Sequence, residues 1–175
     1  MLSPGCGTSK TVVANLQSPD PEASDNNPRQ TDYSDPSTLI LGYINKEKLL
    51  AEPHSEWYTK GYEDYSFSSV AINSLLDISK EEISIKIVMG TWCPDSRREV
   101  PRFMKIIDLW QFPAQLITII GVDRTKLSQI NDYAKLDIEK VPTFIIYKNN
   151  IEAGRIIEIP VTSLEQDLVN ILKKE

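Results

Sequence analysis

The sequence predicts an α/β domain of order βαβαββα, a central mixed sheet flanked by helices, with a helical extension in front of it. Three observations predict this. Four apolar, β-rich runs (Ile83 to Met89, Leu116 to Val122, Thr143 to Lys148 and Ile151 to Ile159) have the length of strands. Two stretches, 96–110 and 164–172, carry apolar residues at helical spacing. The pair Asn149-Asn150, between the last two runs, suits a tight hairpin turn because asparagine tolerates positive φ.

The elements follow in order. Residues 1–37 hold five of the 11 prolines and two basic against five acidic residues, with few large apolar side chains. Such a stretch cannot offset its ordering entropy by burial, so it reads as a flexible leader or tether. Residues 38–79 read as a helical extension packed on the core. A short helical pattern covers 46–51, and Pro53 suits the first turn of a second helix through about Thr59. "GYEDYSF" reads as a turn, and 68–79 as a third helix. Trp57, Tyr58, Tyr62 and Tyr65 form an aromatic group suited to pack extension against core.

Residues 80–175 form the main domain. The first strand is followed by a helix with Val100, Phe103, Ile107 and Trp110 on one face. Leu116 to Val122 is almost wholly apolar, as in a strand buried on both faces. Residues 125–136 place Leu127, Ile130 and Ala134 on one side of an expected helix. After the hairpin, Thr162-Ser163-Leu164-Glu165 has the form of a capping box, opening a last helix with Leu164, Leu168, Ile171 and Leu172 inward.

Composition excludes several functions. The net charge of −6 gives no basic stripe for nucleic acid. Two cysteines, Cys6 and Cys93, and one histidine, His54, cannot by themselves build a four-ligand zinc site. The seven glycines form neither a dinucleotide fingerprint nor a phosphate loop, so no cofactor is expected. No apolar run approaches the roughly 20 residues that span a bilayer.

The chemistry centres on Trp92-Cys93-Pro94-Asp95-Ser96, at the end of the first strand of the main domain. With Val141-Pro142-Thr143 before the hairpin, Pro101 inside the following helix and Lys148-Asn149-Asn150 at the turn, this pattern resembles the thioredoxin family over residues 80–175. "TWCPDSRREVPRF" resembles its bacterial cell-envelope branch, here as a monothiol C-x-x-S variant. The resemblance implies the thioredoxin fold, a cis bond at Pro142, and thiol–disulfide exchange. It also implies that Trp92, Pro94, Asp95, Val141 and Pro142 hold a substrate chain beside Cys93, with protein or small-molecule thiols and disulfides as partners. It places the protein in the cell envelope.

The residues give their own reading. Cys93 at a helix start faces unpaired N–H groups and the positive end of the helix dipole, which favours the thiolate. Ser96, one turn on, is expected to donate to the sulfur but cannot resolve a mixed disulfide. Asp95 opposes ionisation; Arg97 and Arg98 offset it, hold an acidic partner or lie on a solvated face. Ile87 occupies a position where many thioredoxins carry an acidic proton shuttle. His54 reads as a surface or capping residue, with nothing to pair it with Cys93. Three readings of the cysteines stand open. Cys93 works alone through mixed disulfides, or the fold is a non-catalytic binding module using the groove at Pro142, or Cys6 is a distant resolving thiol. Gly5-Cys6 also resembles the lipid-bearing end of a bacterial lipoprotein, a membrane tether that would rule out the resolving role.

Overall fold

The computed structural model describes Met1, residues 31–33 and residues 35–174. Cys6 and most of the expected leader lie outside the described residues. The chain divides into two units, 1–30 and 31–175, and everything below concerns the second.

A five-stranded mixed sheet, order β1-β3-β2-β4-β5, organises the fold. Its strands are β1 (Gly42–Ile44), β2 (Ile83–Met89), β3 (Ile117–Gly121), β4 (Thr143–Lys148) and β5 (Ile151–Ile157). β2 and β3 run parallel, joined through the long helix α4 (Pro94–Leu109). β4 lies antiparallel to β2, and β5 returns beside β4 before α5 (Leu164–Leu172). The extension supplies α1 (Lys46–Leu49), α2 (Ser55–Glu63) and α3 (Ser69–Leu76).

Strand alternation sorts the sheet into two faces. Ile83, Ile85, Ile87, Phe144 and Ile146 join the larger core with the buried side chains of all five helices. Val88, Ile120 and Ile145 face the other way, into a smaller cluster with Val122, Tyr133, Leu136, Val141 and Cys93. The predicted helical face of Val100, Phe103, Ile107 and Trp110 is buried as expected. Asn149 and Asn150 both take positive φ, 54° and 61°, as the tight hairpin requires.

The structure corrects four expectations. Residues 125–136 are not a helix. The Asp123 carboxylate accepts hydrogen bonds from Thr125 N, Thr125 Oγ1 and Leu127 N, so a side-chain turn takes the backbone groups a helix would use. Only one 3-10 turn, Tyr133–Leu136, remains, and with it this face of the sheet has loop cover where a helix was expected. β1 was not anticipated, because three residues are too few to show a period. α2 runs on to Glu63 and takes the first three residues of the expected turn. The cap of α5 is Ser163, accepting from Gln166 N, one residue later than the capping box places it.

Candidate functional site

Cys93 is the N-cap of α4, in extended conformation, with its own N–H donating to Gly90 O at 2.9 Å. Its carbonyl accepts from Arg97 N at 3.0 Å. The sulfur makes no capping hydrogen bond to the helix. Instead the S–H donates to the Val141 carbonyl, Sγ to O 3.3 Å, and the residue is 7% exposed. The Val141–Pro142 bond is cis. Pro142 O accepts from Glu158 N at 2.7 Å, Thr143 Oγ1 donates to Lys140 O, and a Lys140–Glu158 ion pair closes the same corner. Cys93, Val141 and Pro142 are therefore brought together as the sequence reading places them.

Ser96 behaves differently from its expectation. It is fully buried, and its Oγ accepts from Gly90 N at 3.2 Å. The expected donation to the sulfur is not among its hydrogen bonds; Ser96 ties the end of β2 to the first turn of α4. Trp92 is half-buried, donating from Nε1 to Val122 O at 3.1 Å, with the Arg124 guanidinium 5.6 Å from its ring centre. Pro94 is exposed at the first position of α4. Asp95 is paired with Arg98 at 2.8 Å, which offsets its charge near the sulfur. Arg98 also reaches buried Glu99, as Arg102 does. Ile87 is fully buried and offers no proton.

Gly90 shapes the site. A Cβ there would stand 2.5 Å from Trp92 Nε1 and 2.6 Å from Cε2. Gly90→Ala is expected to push the indole off Val122 O and cost about 1–3 kcal/mol, the usual range for overpacking. Urea unfolding checks the cost. Loss of the native tryptophan emission without loss of fold would place the change at Trp92; an unaltered midpoint would show that the indole has room to turn.

The part played by Arg97 and the presence of Tyr33 in the site were not legible in advance. Arg97 is half-buried and held by the loop before Cys93: its Nη1 donates to Thr91 O at 3.1 Å and Trp92 O at 3.3 Å. Its guanidinium stacks on Tyr33, 4.2 Å from the ring centre. Burial pulls the Arg97 pKa down, while Tyr33 and Cys93 act electrostatically in the opposite sense. Spacing four residues after Cys93 was a signal for Arg97; Tyr33, remote in the chain, had none.

His54 is also a correction. It is 4% exposed rather than on the surface, and although it occupies the N-cap of α2 its side chain makes no capping bond. Burial, then Arg97, lowers its pKa. It packs edge-on to Trp57 and against Tyr33, not against Cys93. Pro101, inside α4, lies close against α2: a Cβ on Gly61 would stand 2.6 Å from Pro101 Cγ. Among the described residues, no three His, Cys, Asp or Glu side chains gather to hold a metal ion, and no helix is long and apolar enough to cross a membrane.

The class that these elements define is α/β, with a five-stranded mixed sheet flanked by helices. No family model matches the chain, and no curated protein matches it. Among solved structures it is similar to an HIV epitope-scaffold, at 14% identity, over 68% of this chain and 81% of that one, with a TM-score of 0.49. It is also similar to a protein of unknown function from Pseudomonas aeruginosa, at 15% identity, over 67% of this chain and 78% of that one, with a TM-score of 0.47.

Proposed function

We propose that the chain is a thioredoxin-like thiol protein that exchanges disulfides through Cys93 alone. The observation that carries this reading is the Cys93 sulfur at the start of a 16-residue helix, 3.3 Å from the carbonyl of a cis Val141–Pro142 peptide. The parallel β2–α4–β3 unit followed by the β4–β5 hairpin and α5 supports a thioredoxin fold. In the reaction, Cys93 loses its proton to solvent and the thiolate attacks one sulfur of a partner disulfide. A Cys93–partner S–S bond forms, the partner's S–S bond breaks, and the second partner sulfur leaves as thiolate. The thiolate of an external thiol then attacks the partner sulfur of the mixed disulfide, a new S–S bond joins it to the partner, and Cys93 leaves as thiolate and takes a proton from solvent. Ser96 takes no part in resolution. An extended partner chain would lie across Trp92 and the Val141-Pro142 corner, displacing the S–H bond to Val141 O.

The test uses the full chain carrying Cys6→Ser, so that one thiol remains, and a small aromatic disulfide. Release of about one equivalent of aromatic thiol from the folded protein, abolished by adding Cys93→Ser, is the expected result. A second reading, a binding module, is favoured by the apolar cluster that Cys93 joins with Val88, Ile120 and Val122, and by its 7% exposure. A thiol silent in the folded chain and titratable only in denaturant would decide for that module and against exchange.

A further inference from the structure

We propose that Arg97 is a positioning residue for Cys93 and that Tyr33, near the start of the same compact unit, holds Arg97 in place. The inference deepens the reading of Cys93 as a working thiol and rests on it. The Thr91-Trp92 stretch is the last link before the sulfur. Its two carbonyls point to one guanidinium nitrogen, Arg97 Nη1, at 3.1 and 3.3 Å. These are charge-assisted hydrogen bonds, stronger than neutral ones. They fix the direction in which the chain enters α4, and so where the Cys93 side chain leaves it.

Arg97 is itself tied from outside the helix. The Tyr33 ring covers the guanidinium at 4.2 Å, a cation–π contact. The Tyr33 hydroxyl donates to Pro53 O at 2.7 Å, anchoring the ring to the turn before α2. Buried His54 backs the same ring, with centroids 6.1 Å apart. The contacts thus run from the Pro53–His54 turn through Tyr33 and Arg97 to the two carbonyls ahead of Cys93. The segment at Tyr33 is therefore part of the site's frame. Thr91 is a second tie between the same regions: its Oγ1 donates to Thr38 O and accepts from Ile40 N.

The experiment measures two quantities on the full chain carrying Cys6→Ser. One is the rate of exchange of Cys93 with a small aromatic disulfide at fixed pH; the other is amide hydrogen exchange over residues 90–96. Arg97→Gln is expected to slow disulfide exchange about tenfold and to speed amide exchange by a similar factor, as lost charge-assisted bonds would. Arg97→Lys keeps a donor and the charge, and restores part of the rate. Tyr33→Leu slows the reaction about threefold, whereas Tyr33→Phe, which keeps the ring over the guanidinium, stays near the parent. A merely structural residue would lower the unfolding midpoint without this order of rates. Parent-like rates and amide exchange in Arg97→Gln would overturn the proposal. A faster disulfide reaction in Arg97→Gln would also overturn it, by showing that the arginine shields the sulfur. If the parent thiol is silent while Arg97→Gln still loosens residues 90–96, the exchange reading fails and the positioning contact stands. Should Arg97→Gln not fold, Tyr33→Leu against Tyr33→Phe makes the same comparison.

Discussion

Gly121→Ala is expected to be among the most damaging single substitutions in the domain, although it adds one methyl group. Gly121 ends β3 and lies between Gly42 of β1 and Met89 of β2. A Cβ there would overlap the carbonyl oxygen of Ile40, and would also stand 2.9 Å from Ile44 Cδ1. The obstacle is backbone, which cannot swing away as a side chain can. Ile40 in turn is held to Thr91, whose carbonyl is one of the two that Arg97 grips. Moving the Ile40 segment therefore strains the β1–β3 pairing and the frame of the site together. The expected loss is about 3 kcal/mol, the upper part of the range for overpacking. Urea unfolding of Gly121→Ala measures it. A shift equivalent to less than about 0.5 kcal/mol, the size of a neutral surface change, would mean that the 38–40 segment is free to move away.

The second large effect is at Glu165. Its carboxylate is 2% exposed and belongs to α5, yet both of its partners lie in the extension. Tyr65 Oη donates to Oε2 and Ser68 N donates to Oε1, each at 2.7 Å. Ser68 is the N-cap of α3, so Glu165 fixes where that helix begins. Glu165→Ala leaves a hydroxyl and a backbone N–H without partners in a partly buried junction. At about 1–3 kcal/mol for each stranded donor, the expected loss is about 3 kcal/mol. Glu165→Gln keeps one acceptor and should lose about half as much. Calorimetry on the three chains gives the order; equal melting points would show that water replaces the carboxylate. The junction is also sensitive to base. Burial first, then Glu165, raises the Tyr65 pKa above the ordinary tyrosine value of about 10. A raised folded-state pKa adds stability that is complete below about pH 10 and is lost as pH climbs above it, so the α3–α5 contact should weaken in alkali.

Much of this architecture was legible where neighbouring residues decide it. The face Val100, Phe103, Ile107, Trp110 and the inward face of α5 follow from a 3.6-residue period, which survives whatever the helix packs against. The strands β2, β3 and β4 follow from apolar runs, and the hairpin from two asparagines that accept positive φ. The juxtaposition of Cys93 with Val141 and Pro142 was expected from the likeness of the motifs, and the residues do meet.

What failed depended on competition or distance. Residues 125–136 have a helical pattern, but one carboxylate, Asp123, claims three donors and turns the chain first. Glu165 and Thr162 fit a capping box, but distant donors at Tyr65 and Ser68 claim Glu165, and Asp167 takes the hydroxyl of Thr162. Ser96 is spaced to serve the sulfur, but the hydrogen bond it makes is one it accepts, from the Gly90 amide at the end of β2. The sequence by itself determined the periodic elements, the hairpin and the position of the Cys93 thiol at the head of α4, because each depends on residues within a turn or two. Only the tertiary structure decided which carbonyl the thiol faces, that Arg97 grips the loop before it, and that Tyr33 covers Arg97. Those choices are made by hydrogen-bonding groups far apart in the chain, which meet only after the sheet order and the helix packing have set their distances.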